Sequence, residues 1–146
     1  MKLLFICHGN ICRSPMAEYI MRDLLAKHKV QGVAVDSCAT STEELGNPVY
    51  PPAKRKLKEH GISCDGHAAR QVTKADYANH DKLICMDGMN IRNLMRIIGS
   101  DPECKVCLLK DYTTGGSVAD PWYTGDFETT YREILDGCTA ILEELK

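Results

Sequence analysis

A parallel α/β sheet with helices on both faces is the fold that this sequence predicts, and three observations predict it. Apolar runs of strand length recur at Leu3–Ile6, Val33–Val35, Lys82–Met86 and Lys105–Leu109. Between them stand amphipathic segments with helical spacing, and strands that alternate with helices favour parallel pairing. At 146 residues the chain is long enough to bury one sizeable core, so residues 1–146 read as a single domain.

The first strand runs straight into Cys7-His8-Gly9-Asn10-Ile11-Cys12-Arg13-Ser14-Pro15. Gly9-Asn10 suits a tight turn, Ser14 is able to cap a helix, and Pro15 fits a first helical turn. Met16, Ala17, Ile20, Met21, Leu24 and Leu25 then recur at helical spacing, with Glu18, Arg22, Asp23 and Lys27 falling between them. Gly32 breaks that helix, and Val33-Ala34-Val35 feeds through Asp36-Ser37 into a loop from Ala39 to Pro52 that is rich in Ser, Thr, Gly and Pro. Pro51 to Leu57 predicts a short polar helix, stopped at Gly61, and Thr73 caps a brief turn at Lys74 to Tyr77. After the third strand, Asp87 with Ile91, Leu94, Met95 and Ile98 gives another helix, ended at Gly99. The stretch from Asp111 to Gly125 is turn-rich and holds Asp120-Pro121-Trp122-Tyr123. Tyr131, Ile134, Leu135, Cys138, Ile141, Leu142 and Leu145 mark one face of a closing helix.

With 18 basic and 20 acidic residues the charge is nearly balanced, which argues against nucleic acid or an anionic membrane surface as partner. No run reaches membrane-spanning length, and the N-terminal apolar run is too short for a signal peptide. The expectation is therefore a cytoplasmic protein without membrane insertion, whose eight cysteines are packed or reactive thiols. Cys104 and Cys107 form a C-x-x-C with no second pair nearby, which predicts packing in the last strand, and Cys38, Cys64, Cys85 and Cys138 receive the same reading. His8, His28, His60 and His80 read as surface or loop histidines.

The loop after the first strand carries the chemistry. Closed around a tetrahedral oxyanion, the backbone N–H groups from His8 to Arg13, the helix N-terminus and the planar Arg13 fork would surround it with donors. The same field stabilises a thiolate at Cys7, and Ser14 can donate a hydrogen bond to that sulfur. This arrangement predicts attack by Cys7 on phosphorus to give a phosphocysteine, with no metal and no cofactor.

Cysteine, five residues, arginine and serine at the N-terminus resemble the low-molecular-weight protein tyrosine phosphatases. The likeness continues through Val35-Asp36-Ser37, Gly46-Asn47-Pro48, His60-Gly61-Ile62, Ala69-Arg70-Gln71-Val72, Cys85-Met86-Asp87 and Asp120-Pro121. The resemblance implies a single-domain three-layer fold with a four-stranded parallel sheet in the order 2-1-3-4. The strand order then reverses at the first strand, which places a ligand at its carboxyl end, where Cys7 stands. It implies further that Asp120 is the general acid that protonates the leaving phenolate and the base that activates water. Pro121 fixes the backbone there, and a carboxyl walled by Trp122 and Tyr123 holds its proton longer than an exposed one.

The family's loop-supporting network falls on Asn10, Ser14, Ser37 and His67, with Asn10 also expected in a left-handed conformation. Cys12 matches a position that in the family forms a reversible disulfide with the nucleophile. Trp122 and Tyr123 are expected at the pocket mouth, as rings that sandwich a phenyl group, and Tyr123 matches tyrosines that are phosphorylated in some relatives. Glu43 stands where the family often has an aromatic or small rim residue, a departure that bears on peptide choice. The implied partners are tyrosine-phosphorylated proteins, met by a monomer.

Rival readings differ at named positions. A protein arginine phosphatase on the same scaffold tends to carry Thr where this chain has Ile11, and the related arsenate reductase needs two further cysteines, of which Cys85 can mimic only one. A module that binds phosphotyrosine without cleaving it would be expected to lose the nucleophile or the acid, and a thiol-exchange protein would use Cys7 and Cys12 alone.

Overall fold

The computed structural model describes residues 1–146. Strand β1 (Lys2–Cys7) is followed by helix α1 (Arg13–Lys27), strand β2 (Ala34–Ala39), helices α2 (Pro51–Glu59) and α3 (Lys74–Asn79), and strand β3 (Lys82–Cys85). Helix α4 (Gly88–Ile98), strand β4 (Val106–Leu108), a 3-10 turn (Leu109–Tyr112), the short helix α5 (Pro121–Thr124) and helix α6 (Phe127–Leu145) complete the chain. The strands form one sheet in the order β2-β1-β3-β4, all parallel, as the resemblance implies.

Strand β1 is buried on both faces because side chains alternate across it. Leu3 and Phe5 enter the larger core with Met16 and Ile20 of α1 and Ile134 and Ile141 of α6, while Leu4 and Ile6 meet Leu83, Cys85 and Leu94 on the α3–α4 side. Helix α4 starts as expected at Asp87, whose carboxylate accepts the Asn90 N–H at 2.8 Å, and α6 starts at Asp126, which accepts from Thr129 at 3.0 Å. No helix is long and apolar enough to cross a membrane.

Three local expectations need correction. Strand β2 runs through Asp36, Ser37 and Cys38 to Ala39, because the backbone there pairs with Leu4 to Cys7 although the side chains are polar. Strand β4 is shorter than expected, since Leu109 already belongs to the 3-10 turn. Cys104 lies outside it, exposed and at φ 53°, so only Cys107 of that pair sits in the sheet.

Candidate active site

The pocket is built at the carboxyl end of β1, the point where the strand order reverses. Beyond Cys7 the chain forms a loop whose carbonyls are engaged from outside. The carbonyls of Cys7 and His8 accept from the Thr40 and Ser41 N–H groups, both at 3.0 Å, and that of Ile11 accepts from the Tyr50 N–H at 2.9 Å. His67 Nε2 donates to the Asn10 carbonyl at 2.8 Å, which fixes the tautomer of the ring. Asn10 makes the turn at φ 59°, the left-handed conformation expected of it.

Donors converge on the Cys7 sulfur: Ser14 Oγ at 2.9 Å, Asn10 N at 3.3 Å and Ser14 N at 3.4 Å. That arrangement suits a thiolate. Ser14 is not the helix cap, since α1 begins at Arg13 and Cys12 holds the cap position without a side-chain bond. Its hydroxyl turns instead to Cys7.

A chain of hydrogen bonds supports that hydroxyl. Asn10 Nδ2 donates to Ser14 Oγ at 2.8 Å and to Ser37 Oγ at 2.9 Å, while Asn10 Oδ1 accepts from the Arg70 N–H at 3.2 Å. An amide nitrogen can only donate, so Ser37 must pass its own proton onward. It does so to Glu18 Oε1, at 2.5 Å. Asn10, Ser14, Ser37 and His67 thus meet as expected, but Glu18 was unforeseen. It is buried rather than outward-facing, and burial raises its carboxyl above the usual range despite the Ser37 bond and Arg22. Arg70, the other missed member, is held by the carboxylates of Asp36 and Asp76 at 2.9 and 3.0 Å.

Arg13 is buried, and its guanidinium reaches across the pocket. Nη1 donates to Asp87 Oδ2 at 2.8 Å and to the Val118 carbonyl at 3.1 Å, and Nη2 donates to Asp120 Oδ2 at 3.3 Å. Asp120, 107 positions away in sequence, is therefore brought to the loop. Its segment is anchored from two sides. The Val118 N–H donates to the Met86 carbonyl at 2.9 Å, and the Ala119 carbonyl accepts from Thr130 Oγ1 at 2.8 Å. Asp120 Oδ1 accepts from the Trp122 N–H at 3.1 Å and starts α5. The sequence marks Asp87 as a helix start and as part of the family likeness, and nothing local in it links Asp87 to Arg13.

The cavity holds about 470 Å³, and Cys7, Cys12, Arg13 and Asp120 line it together. Gly9 and Ile11 form part of the loop wall, and His8, Glu43, Trp122 and Tyr123 stand at the mouth. His8 Nε2 and Glu43 Oε2 lie 2.9 Å apart, and Trp122 leans on Tyr50 with ring centroids 5.0 Å apart. Burial, then the charges of Cys7 and Asp120, push the Cys12 thiol up to about 12, so at neutral pH it is protonated beside the Cys7 loop. All eight cysteines are free thiols, and Cys85 is fully buried in β3. Away from the pocket, Glu59, His60 and Glu128 bring metal-ligating atoms within 4.8 Å. Lys56 Nζ already bridges the two carboxylates at 2.8 and 3.0 Å, which makes the group an ion-pair network.

Comparison with known proteins agrees with this geometry. The family described as low molecular weight phosphotyrosine protein phosphatase matches residues 2–146. The Gallus gallus low molecular weight phosphotyrosine protein phosphatase is 42% identical over 149 residues, covering 97% of this chain and 94% of its own. The crystal structure of YfkJ from Bacillus subtilis, a low molecular weight protein-tyrosine-phosphatase, superposes with a TM-score of 0.94 at 40% identity, covering 99% of this chain and 93% of that one. A Drosophila arginine phosphatase structure superposes with a TM-score of 0.92 at 31% identity, covering 100% and 98%. With a family match that takes in the loop, the network behind it and the Asp120 segment alike, this chain belongs to the low-molecular-weight protein tyrosine phosphatases, hydrolases of phosphotyrosine.

Proposed function

We propose that this enzyme hydrolyses phosphotyrosine in two steps through Cys7, Arg13 and Asp120. The phosphate enters the loop, where the loop N–H groups and the Nε and Nη2 of Arg13 take its oxygens, while Nη1 stays on Asp87 and the Val118 carbonyl. Arg13 Nη2 exchanges Asp120 for phosphate, and the freed carboxyl faces the ester oxygen. The Cys7 thiolate attacks phosphorus, the P–O bond to the ring breaks, and the phenolate leaves with the Asp120 proton. Asp120, now ionised, takes a proton from water as that water attacks the phosphocysteine. The P–S bond breaks, phosphate departs, and the thiolate accepts the Ser14 hydrogen bond again.

The observation that carries this reading is Arg13 Nη2 hydrogen-bonded to Asp120 at 3.3 Å in the cavity that Cys7 lines, which unites clamp, acid and nucleophile. Turnover of an aryl phosphate in a chelating buffer tests it. Cys7→Ser is expected to abolish turnover, and Asp120→Asn to lower kcat by about 10²- to 10⁴-fold, the usual range for losing a general acid. Undiminished turnover by Cys7→Ser overturns the scheme.

A substrate with an N–P bond is the second reading, because the arginine phosphatase neighbour shares the scaffold. Ile11 weighs against it here. The side chain lines the cavity and offers a leaving guanidino group no hydrogen bond, whereas it packs well against a phenyl ring. Phosphotyrosine and phosphoarginine peptides competing in one assay separate the two readings.

A further inference from the structure

The charge of the cavity is unusual for a site that takes a dianion. Arg13 is its only lysine or arginine, while Glu43, Glu44, Asp87 and Asp120 all line it. Asp87 and Asp120 are each hydrogen-bonded to Arg13, so one guanidinium charge is already shared by two carboxylates. Deep in the pocket this matters little to phosphate, because the loop N–H donors compensate. At the mouth no lysine or arginine lines the cavity beside the second pair of carboxylates.

Glu43 and Glu44 differ in how they are held. Glu43 is largely exposed, and its one side-chain partner, the His8 imidazole, is exposed too. Glu44 is fixed: its Oε2 accepts from Asn47 Nδ2 at 2.6 Å, and its Cγ lies 3.4 Å from where a side chain on Gly9 would begin. Both therefore stand on the same side of the mouth as the His8–Gly9 edge of the loop. The exposed apolar groups Met89, Trp122 and Tyr123 line the same cavity. A peptide that lays its phosphotyrosine into the loop brings its flanking residues near these acidic and apolar groups.

We infer that the enzyme selects phosphotyrosine flanked by lysine or arginine, with Glu43 and Glu44 as the residues that read the basic side chain. The inference rests on the phosphotyrosine hydrolysis proposed above and adds the substrate class to it. An acidic flank, the obvious alternative, would bring further negative charge to a mouth that has no free cation to receive it. The contribution of each solvent-exposed pair is small and is screened by salt. Selectivity therefore acts on encounter and KM rather than on the chemical step.

Two synthetic phosphotyrosine peptides, identical except for two lysines or two glutamates beside the phosphotyrosine, test the inference. At low ionic strength kcat/KM is expected to favour the lysine peptide by about three- to tenfold, the scale of two exposed ion pairs. Added salt is expected to lower kcat/KM for the lysine peptide and to raise it for the glutamate peptide, a crossing of slopes that uncharged contacts cannot produce. Glu43→Gln combined with Glu44→Gln is expected to bring the ratio of the two peptides close to one within the same enzyme preparation. Equal rates in the unmodified enzyme, parallel salt slopes, or a ratio that survives the double substitution overturn the inference while phosphotyrosine hydrolysis stands. Cleavage of neither peptide overturns that hydrolysis and this inference together.

Discussion

The floor and the rim of the pocket are built on opposite principles. In the floor, Asn10 and Ser14 are fully buried and Arg13 is 3% exposed, and each polar atom of Asn10 has an assigned partner. At the rim, Trp122 is 55% and Tyr123 85% exposed, and Glu43 has a single exposed partner in His8. A buried polar network is rigid only when every member is satisfied, which fixes the reacting geometry but tolerates little change. An exposed rim carries no such constraint. On the proposed scheme catalysis falls to the floor and choice of substrate to the rim, and substitutions in the two regions are expected to separate kcat from KM.

Among the residues that support the loop without reacting, the largest effect is expected at Asn10. Its amide joins Ser14, Ser37 and Arg70, and its backbone adopts a positive φ that alanine disfavours. Asn10→Ala is expected to lower kcat by about 10²-fold through displacement of Ser14 and the sulfur it faces. KM for an aryl phosphate is expected to change far less. A variant whose defect lies entirely in KM would break the comparison.

Glu18 gives a smaller and more diagnostic effect. Burial raises its carboxyl above the ordinary glutamate value, so protonated Glu18 favours folding and that advantage is lost as pH rises through the raised value. Glutamine carries no such charge to bury. Glu18→Gln is therefore expected to gain stability relative to the parent as pH climbs from about 4.5 toward neutrality, measured by denaturant titration at a series of pH values. The same substitution alters the acceptor of the Ser37 proton and is expected to lower kcat several-fold, on the scale of about 1 kcal/mol for one hydrogen bond. A more stable and less active enzyme is the outcome that identifies Glu18 as part of the floor.

What the sequence disclosed follows the same division between local and long-range causes. The strand–loop–helix from Leu3 to Pro15 was legible because apolar runs, turn residues and helical spacing act within a few positions. Its sheet order and the pairing of Cys7 with Asp120 came from resemblance alone, since no local rule joins residues so far apart. Glu18 escapes the sequence pattern because helical periodicity sorts residues by polarity and assigns every carboxylate to solvent. A carboxylate that buries itself on Ser37 and Arg22 breaks that sorting. Asp36 and Ser37 hid the second half of β2 in the same way, their side chains polar while their backbone paired with β1. Asp87 was seen as a helix cap, which it is, but its second carboxylate oxygen serves Arg13 from across the sheet.

The smallest effect is expected at Trp122, and it bears most directly on the rim. The indole packs on Tyr50, which stacks in turn on Phe127 with centroids 6.2 Å apart, so the wall has support on one side only. Its backbone N–H, not its ring, holds Asp120. Trp122→Ala therefore removes a surface for the phenyl ring while leaving the acid's hydrogen bond in place. KM for an aryl phosphate is expected to rise about two- to tenfold, the scale of one aromatic contact, with kcat nearly unchanged. An alkyl phosphate of similar size lacks the ring and is expected to lose little or nothing. If both substrates lose equally, and in kcat, then the ring acts through Asp120 and the rim is not separable from the floor.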